Sequence, residues 1–132
     1  MRFLLDTDTC IYALKQHPVV LSRLLAHSPA EVGVSVVTEA ELRTGAAKSA
    51  SKTKTTRLLE SFLRPISVLE FGSIDAAAYA NVRANLERAG TPIGPLDTLI
   101  AAHAVARKLT LVSNNEREFK RVAGLRIENW SH

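Results

Sequence analysis

Short apolar runs that alternate with stretches of helical period constrain the fold of this chain more than any other feature. Arg2–Leu5, Val32–Val37, Ile66–Leu69 and Thr110–Ser113 read as strands, and Leu125–Ile127 is a candidate fifth. Between them lie helical segments. One runs from Asp8 to about Leu25, broken at His17-Pro18 where a proline favours a new helix start. A second begins at Thr38, whose T-x-x-E spacing to Glu41 has the form of a capping box, and ends near Ala47. Arg57–Leu63 is helical and stops before Pro65. Ser73 caps a long helix through Ala89, with Gly90 as its C′ residue. Thr91–Pro95 is a rigid loop before a helix from about Leu96 to Arg107, and Glu116–Val122 is a short last helix. Lys48–Thr56, rich in Ser, Thr, Lys and Ala, reads as a solvated connection between two helices. Strands separated by helices pair through crossovers, so an α/β fold with a mostly parallel sheet is expected.

The 132 residues suit one domain, and 46% hydrophobic residues suffice for a core. No apolar run approaches the ~20 residues that span a bilayer, so no membrane partner is expected. Met1–Asp6 is too soon charged for a secretion signal, and Cys10, the only cysteine, has no partner for a disulfide. A cytoplasmic location is the expectation. A net charge of +4 and a pI near 9.6 favour an anionic partner such as nucleic acid, modestly.

Ligand sites of open parallel sheets lie at the carboxyl ends of the strands. Asp6 closes the first strand, with Asp8 two residues on. Glu41 sits early in the helix after the second strand, and Asp97 in the first turn of the helix before the fourth. Asn115, Glu116 and Glu118 follow the fourth strand. In a parallel sheet these groups gather at one edge. Clustered carboxylates repel unless protonated or neutralised by a cation, and hard oxygen ligands suit Mg²⁺ or Mn²⁺. Structural roles compete with that reading. Asp8 suits an N-cap, Glu41 a capping box, Asp97 the positive end of its helix, and Asn115 with Glu118 has capping spacing. Asp6 is harder to explain so, because a carboxylate that ends a buried strand needs a partner.

Elsewhere the structural reading leads. His103 reads as packed or surface histidine, Cys10 as a small buried hydrophobe, and Trp130 as a pin for the chain's end. Lys48, Lys52, Lys54 and Arg57 read as a solvated basic stretch, and Arg43 is the better single candidate for a phosphate contact.

Four blocks carry a family resemblance over nearly the full length. They are Leu5-Asp6-Thr7-Asp8 with Ile11; Ser35 to Leu42 with Gly45; Pro92-Ile93-Gly94-Pro95-Leu96-Asp97 with Ile100-Ala101; and Ser113-Asn114-Asn115 with Glu118-Phe119. In order and spacing the chain resembles the PIN-domain ribonucleases, specifically the VapC toxins of bacterial toxin–antitoxin pairs. The resemblance implies a single PIN-like domain over residues 1–132, with a three-layer α/β/α fold. It also implies a Mg²⁺-dependent endoribonuclease, with Mn²⁺ able to substitute, restrained by a VapB-type antitoxin and commonly homodimeric. Positions matching Asp6, Glu41 and Asp97 are the family's metal-site carboxylates, and Asn115 matches the fourth polar position with Glu118 nearby. The Pro-Ile-Gly-Pro block and the Asn-Asn pair are most similar to members that cut initiator tRNA in its anticodon stem-loop. Asp8 stands where the family usually has Asn, and Asn115 where many members have Asp.

Two enzyme classes and one binding module compete. A haloacid-dehalogenase-type phosphatase also opens with D-x-D, which would make Asp6 a covalent nucleophile. It wants Thr or Val where this chain has Cys10, and a late acidic pair with a lysine. A response-regulator receiver domain needs an acceptor Asp ending a central strand, where the third strand here ends at Leu69-Glu70. A non-catalytic PIN domain would bind RNA or a partner without cutting.

Overall fold

The computed structural model describes residues 1–132. Five strands form one sheet in the order β3-β2-β1-β4-β5, every neighbouring pair parallel. They are β1 (Phe3–Leu5), β2 (Val32–Ser35), β3 (Ser67–Leu69), β4 (Thr110–Val112) and β5 (Arg126–Glu128). The helices are α1 (Thr7–Leu14), α2 (Pro18–Leu25), α3 (Val36–Ala47), α4 (Lys52–Leu63), α5 (Ser73–Arg88), α6 (Pro95–Arg107) and α7 (Glu116–Phe119), with a 3₁₀ turn at Pro29–Glu31.

β1 is the central strand, and its side chains alternate between two cores. Phe3 and Leu5 pack with Cys10, Leu42, Ala46, Leu59 and Leu63 from α1, α3 and α4. Leu4 packs with Val82, Leu86, Ile100, Ala104 and Phe119 from α5, α6 and α7. Helices therefore cover both faces, giving the expected three-layer α/β/α sandwich. Coverage on both sides explains why β1 reads as a continuous apolar run. Fully burying one such Leu contributes about 2 kcal/mol. Trp130 is fully buried, its ring 5.2 Å from Phe3 and 5.1 Å from His27. It pins the end of the chain over the first core.

Several helix boundaries depart from the sequence reading. β2 ends at Ser35, and Val36-Val37 begin α3 despite their β-branched side chains. Ser35 is the N-cap, its Oγ accepting from the Val37 N–H at 3.1 Å. Thr38 is not a cap but a buried residue inside the helix, and Glu41 belongs to the second turn, with no capping box. α4 starts at Lys52, so most of the expected solvated connection is helical, held by Leu59 and Leu63 in the core. Gly72, not Ser73, caps α5, and the Asp75 carboxylate accepts its N–H at 2.8 Å. α6 opens one residue early, with Pro95 at its first position, where a missing N–H costs nothing. α7 is shorter than expected and stops at Phe119. Gly90 does follow α5 with φ +71°, the left-handed conformation that favours glycine.

The crossovers before β2 pack on one face and those before β4 on the other. The order therefore reverses between β1 and β4, and the crevice above their carboxyl ends is the expected place for a ligand.

Candidate active site

Asp6 follows β1 directly at that crevice and is only 4% exposed. Its carboxylate accepts from the Ser113 hydroxyl and from the Thr7 N–H, both at 2.8 Å. The second bond makes it the N-cap of α1. Ser113 follows β4, and its Oγ also accepts the Asn115 N–H at 2.9 Å. Asp8 receives the Asn114 N–H at 3.2 Å, tying α1 to the same turn. Glu41 reaches the crevice from α3, where its Oε1 accepts the Thr7 hydroxyl at 2.7 Å. Asp97 enters from the first turn of α6, within hydrogen-bond reach of Glu118. Asn115 donates from Nδ2 to the Glu118 carboxylate at 2.8 Å.

All five residues singled out for the site, Asp6, Glu41, Asp97, Asn115 and Glu118, thus belong to one set, with Asp8 beside them. The electrostatics carry the same message. Burial first, then the charge of Asp8 and more weakly that of Asp97, pushes the Asp6 carboxyl up to about 7. Burial, then the charges of Glu118 and Glu41, raises Asp97 to about 6. Carboxylates perturb each other in this way only when they share a confined, poorly solvated space. Not one of Asp6, Asp8, Glu41, Asp97 and Glu118 forms an ion pair with a Lys, Arg or His.

An uncompensated acidic crevice of this kind fits a divalent cation. No three of these acids lie close enough together in this structure to hold an ion jointly. Mg²⁺ ordinarily uses one or two carboxylates and keeps several waters, so an open set matches its chemistry better than a cage would. Asp6, Asp97 and Glu41 are the acids that could hold such an ion, with Glu118 beside Asp97.

Sequence reasoning missed the neutral groups that hold these acids. Thr7 on α1 bonds Thr38 and Glu41 on α3, Ser113 after β4 bonds Asp6 after β1, and only their adjacency to the acids in the motifs signalled them. Asn114 was also missed. Its side-chain amide is the one buried polar group without a hydrogen-bond partner. Arg43, the better single candidate for a phosphate contact, is already engaged. Its guanidinium binds Glu39 at 2.8 Å and lies 3.8 Å from Glu60. Arg117, exposed beside Glu116 and Glu118, makes no such pair.

The PIN domain pattern matches residues 3–125. The chain is 40% identical to the tRNA(fMet)-specific endonuclease VapC of Shigella flexneri over 99% of both chains. The crystal structure of DNA-bound VapBC from Salmonella typhimurium superposes with a TM-score of 0.94 at 38% identity, covering 98% of each chain. VapBC2 from Rickettsia felis, bound to a promoter DNA fragment, gives 0.91 at 36% identity, over 98% of this chain and 99% of that one. The chain belongs to the PIN-domain family and, within it, to the VapC ribonucleases. That family leaves no room for the phosphatase or receiver readings, and no lysine pairs with Asp6 as a phosphatase would want. PIN-domain ribonucleases are divalent-metal enzymes as a class, which agrees with the donor set.

Proposed function

We propose that this chain is the toxin of a VapBC pair, a Mg²⁺-dependent endoribonuclease that cuts tRNA, with the anticodon stem-loop of initiator tRNA as target. Its place of action is the cytoplasm, where that substrate is found, and residues 1–132 act as one PIN domain. One observation carries the reading. Carboxylates from the N-cap of α1, the second turn of α3 and the first turn of α6 converge where β1 meets β4, two of them are pushed toward neutrality, and no cation of the chain offsets them.

Asp6 and Asp97 would hold the ion, with Glu41 as a further ligand or as an orienter of its water. When bound, Mg²⁺ supplies Lewis acidity and charge neutralisation for the attack of water on a phosphodiester. The protein's own residues fix the acids in place. Ser113 and Thr7 each bind one oxygen of Asp6, so its carboxylate plane is set before any ligand arrives. Thr7 also clamps Glu41, joining α1 to α3 at the site. Asn115 holds Glu118 beside Asp97, whose own carboxyl is raised to about 6 by burial and then by the Glu118 charge. Neutral donors do all this, which leaves the negative charge intact for the ion.

The VapBC relatives pair their ribonuclease with a second protein, and a VapB-type antitoxin is the partner proposed here. A groove of about 470 Å³ between α1, α3 and α4 supports it, lined by Ile11, Leu14, Leu42 and Leu58 with Glu41 on its wall. Leu58 is 55% exposed there. The apolar side of an antitoxin segment would cover these residues and restrict access to the site. Val36, Ile74 and Leu96, exposed at the starts of α3, α5 and α6, offer a surface for a second copy in a homodimer.

The test is incubation of the purified chain with total tRNA, with and without Mg²⁺, followed by mapping of the cut ends. Metal-dependent cleavage leaving a 3′-hydroxyl and a 5′-phosphate is expected, because water and not the ribose 2′-hydroxyl attacks. A 2′,3′-cyclic phosphate, or no cleavage with RNA still bound, would overturn it. The second outcome is the non-catalytic PIN reading.

A further inference from the structure

A buried polar chain on the far side of α6 has no part in the mechanism above. His103 is fully buried in α6, six residues beyond Asp97. Its Nδ1 lies 2.8 Å from the Ser35 hydroxyl and its Nε2 3.1 Å from the Glu70 carbonyl oxygen. A carbonyl can only accept, so Nε2 carries the hydrogen and Nδ1 accepts from Ser35. Ser35 is the N-cap of α3 and receives the Val37 N–H on the same oxygen. Its single hydrogen is therefore free for His103. Asp75, also fully buried, stands 3.7 Å from Nε2 and is held by two bonds from Arg107, at 3.0 and 2.9 Å. The imidazole thus joins three places: α6, the loop after β3, and the first turn of α3. Two of these elements carry acids of the site, Asp97 on α6 and Glu41 on α3.

We propose that His103 is a positioning residue that bonds α6 to the cap of α3, and so sets the spacing of Asp97 and Glu41 required for a divalent cation. Helices transmit position because their backbones are stiff. The six residues from Asp97 to His103 span about 9 Å of helix. Without the Ser35 bond, α6 could slide or roll on α3 with both cores still packed, and the ligand spacing would lose its definition. Groups that orient metal ligands from behind typically change affinity by about 10- to 100-fold when lost.

The inference rests on the metal reading of Asp6, Glu41 and Asp97, and the test separates the two. Mn²⁺ binding is measured by electron paramagnetic resonance on the full chain. His103→Gln keeps a donor for Glu70 but no acceptor for Ser35, and it should weaken Mn²⁺ about tenfold. His103→Asn places an amide oxygen near Nδ1, keeps the Ser35 bond and should bind within about twofold of wild type. Ser35→Ala also removes the cap of α3 and should weaken binding at least as much as His103→Gln, and the double variant should go no further than Ser35→Ala alone, since both remove the Ser35–His103 bond. Wild-type affinity in His103→Gln, or additive losses in the double variant, would overturn the inference while leaving the metal site standing. Absence of Mn²⁺ binding in the wild type would instead overturn the metal reading. The ¹⁵N shift of His103 in the unaltered protein decides without any variant. A protonated Nδ1 would contradict the Ser35 bond.

Discussion

Asp6→Asn should stabilise the metal-free protein while abolishing its activity. Asp6 titrates at about 7 in the fold against an ordinary 3.8. The folded chain therefore keeps a proton there that the unfolded chain releases. Ionising Asp6 costs stability, a cost that begins as the pH rises past about 4 and is complete above about 7. A difference of about three pH units corresponds to about 4 kcal/mol. Part of that burden is shared with Asp8, and an amide offers one acceptor where Ser113 and Thr7 both donate. Halving the figure leaves a gain of about 2 kcal/mol above about pH 8. For a domain of this size that is a rise in Tm of roughly 8 °C. Near pH 4 wild-type Asp6 is already protonated in the fold, and the gain should vanish. The measurement is thermal denaturation of both proteins in chelator at the two pH values. Saturating Mg²⁺ should reverse the order, because only the wild type retains the full ligand set. A variant equally stable or less stable than wild type at high pH would refute the view of Asp6 as a strained, uncompensated charge.

Other expectations follow from the same geometry. Asp97→Asn should lower tRNA cleavage on the order of a thousandfold and, because Asp97 is also raised, to about 6, should shift metal-free stability above that pH in the same direction as Asp6→Asn but by less, as followed by single-turnover kinetics and circular dichroism. Glu41→Gln should be similarly severe for cleavage yet stay within about 0.5 kcal/mol of wild-type stability, since Glu41 caps nothing and an amide oxygen still accepts from Thr7. A large loss of stability would restore its capping role. Arg43→Ala should leave KM for tRNA within about twofold, because its guanidinium is occupied by Glu39. Trp130→Ala should cost about 3–5 kcal/mol in urea denaturation, the usual range for deleting a buried aromatic side chain.

Local chemistry made much of this architecture readable in advance. The apolar run before Asp6, the proline at the start of α2 and the glycine after α5 act within a few residues, and their consequences appear where expected. The acids were legible because parallel strands end on one side, so chain order predicts proximity. The misreadings share a different cause. Val36 and Val37 favour strands, but Ser35 can cap a helix and bind His103 only if the strand stops before them. Thr38 and Glu41 mimic a cap one turn late. The start of α4 looks solvated because Lys52 and Lys54 face water, while Leu59 and Leu63 tie the helix to the core. Ser113 grips Asp6 across 107 positions of sequence. Such a contact exists only once β1 and β4 pair, and no local pattern announces it.

The most direct test of the central claim is anomalous diffraction from crystals of the protein soaked in Mn²⁺. A peak bridging the carboxylates of Asp6 and Asp97, lost in Asp97→Asn crystals, is the predicted result. Well-ordered carboxylates with no peak between them, or an ion held elsewhere on the surface, would contradict it.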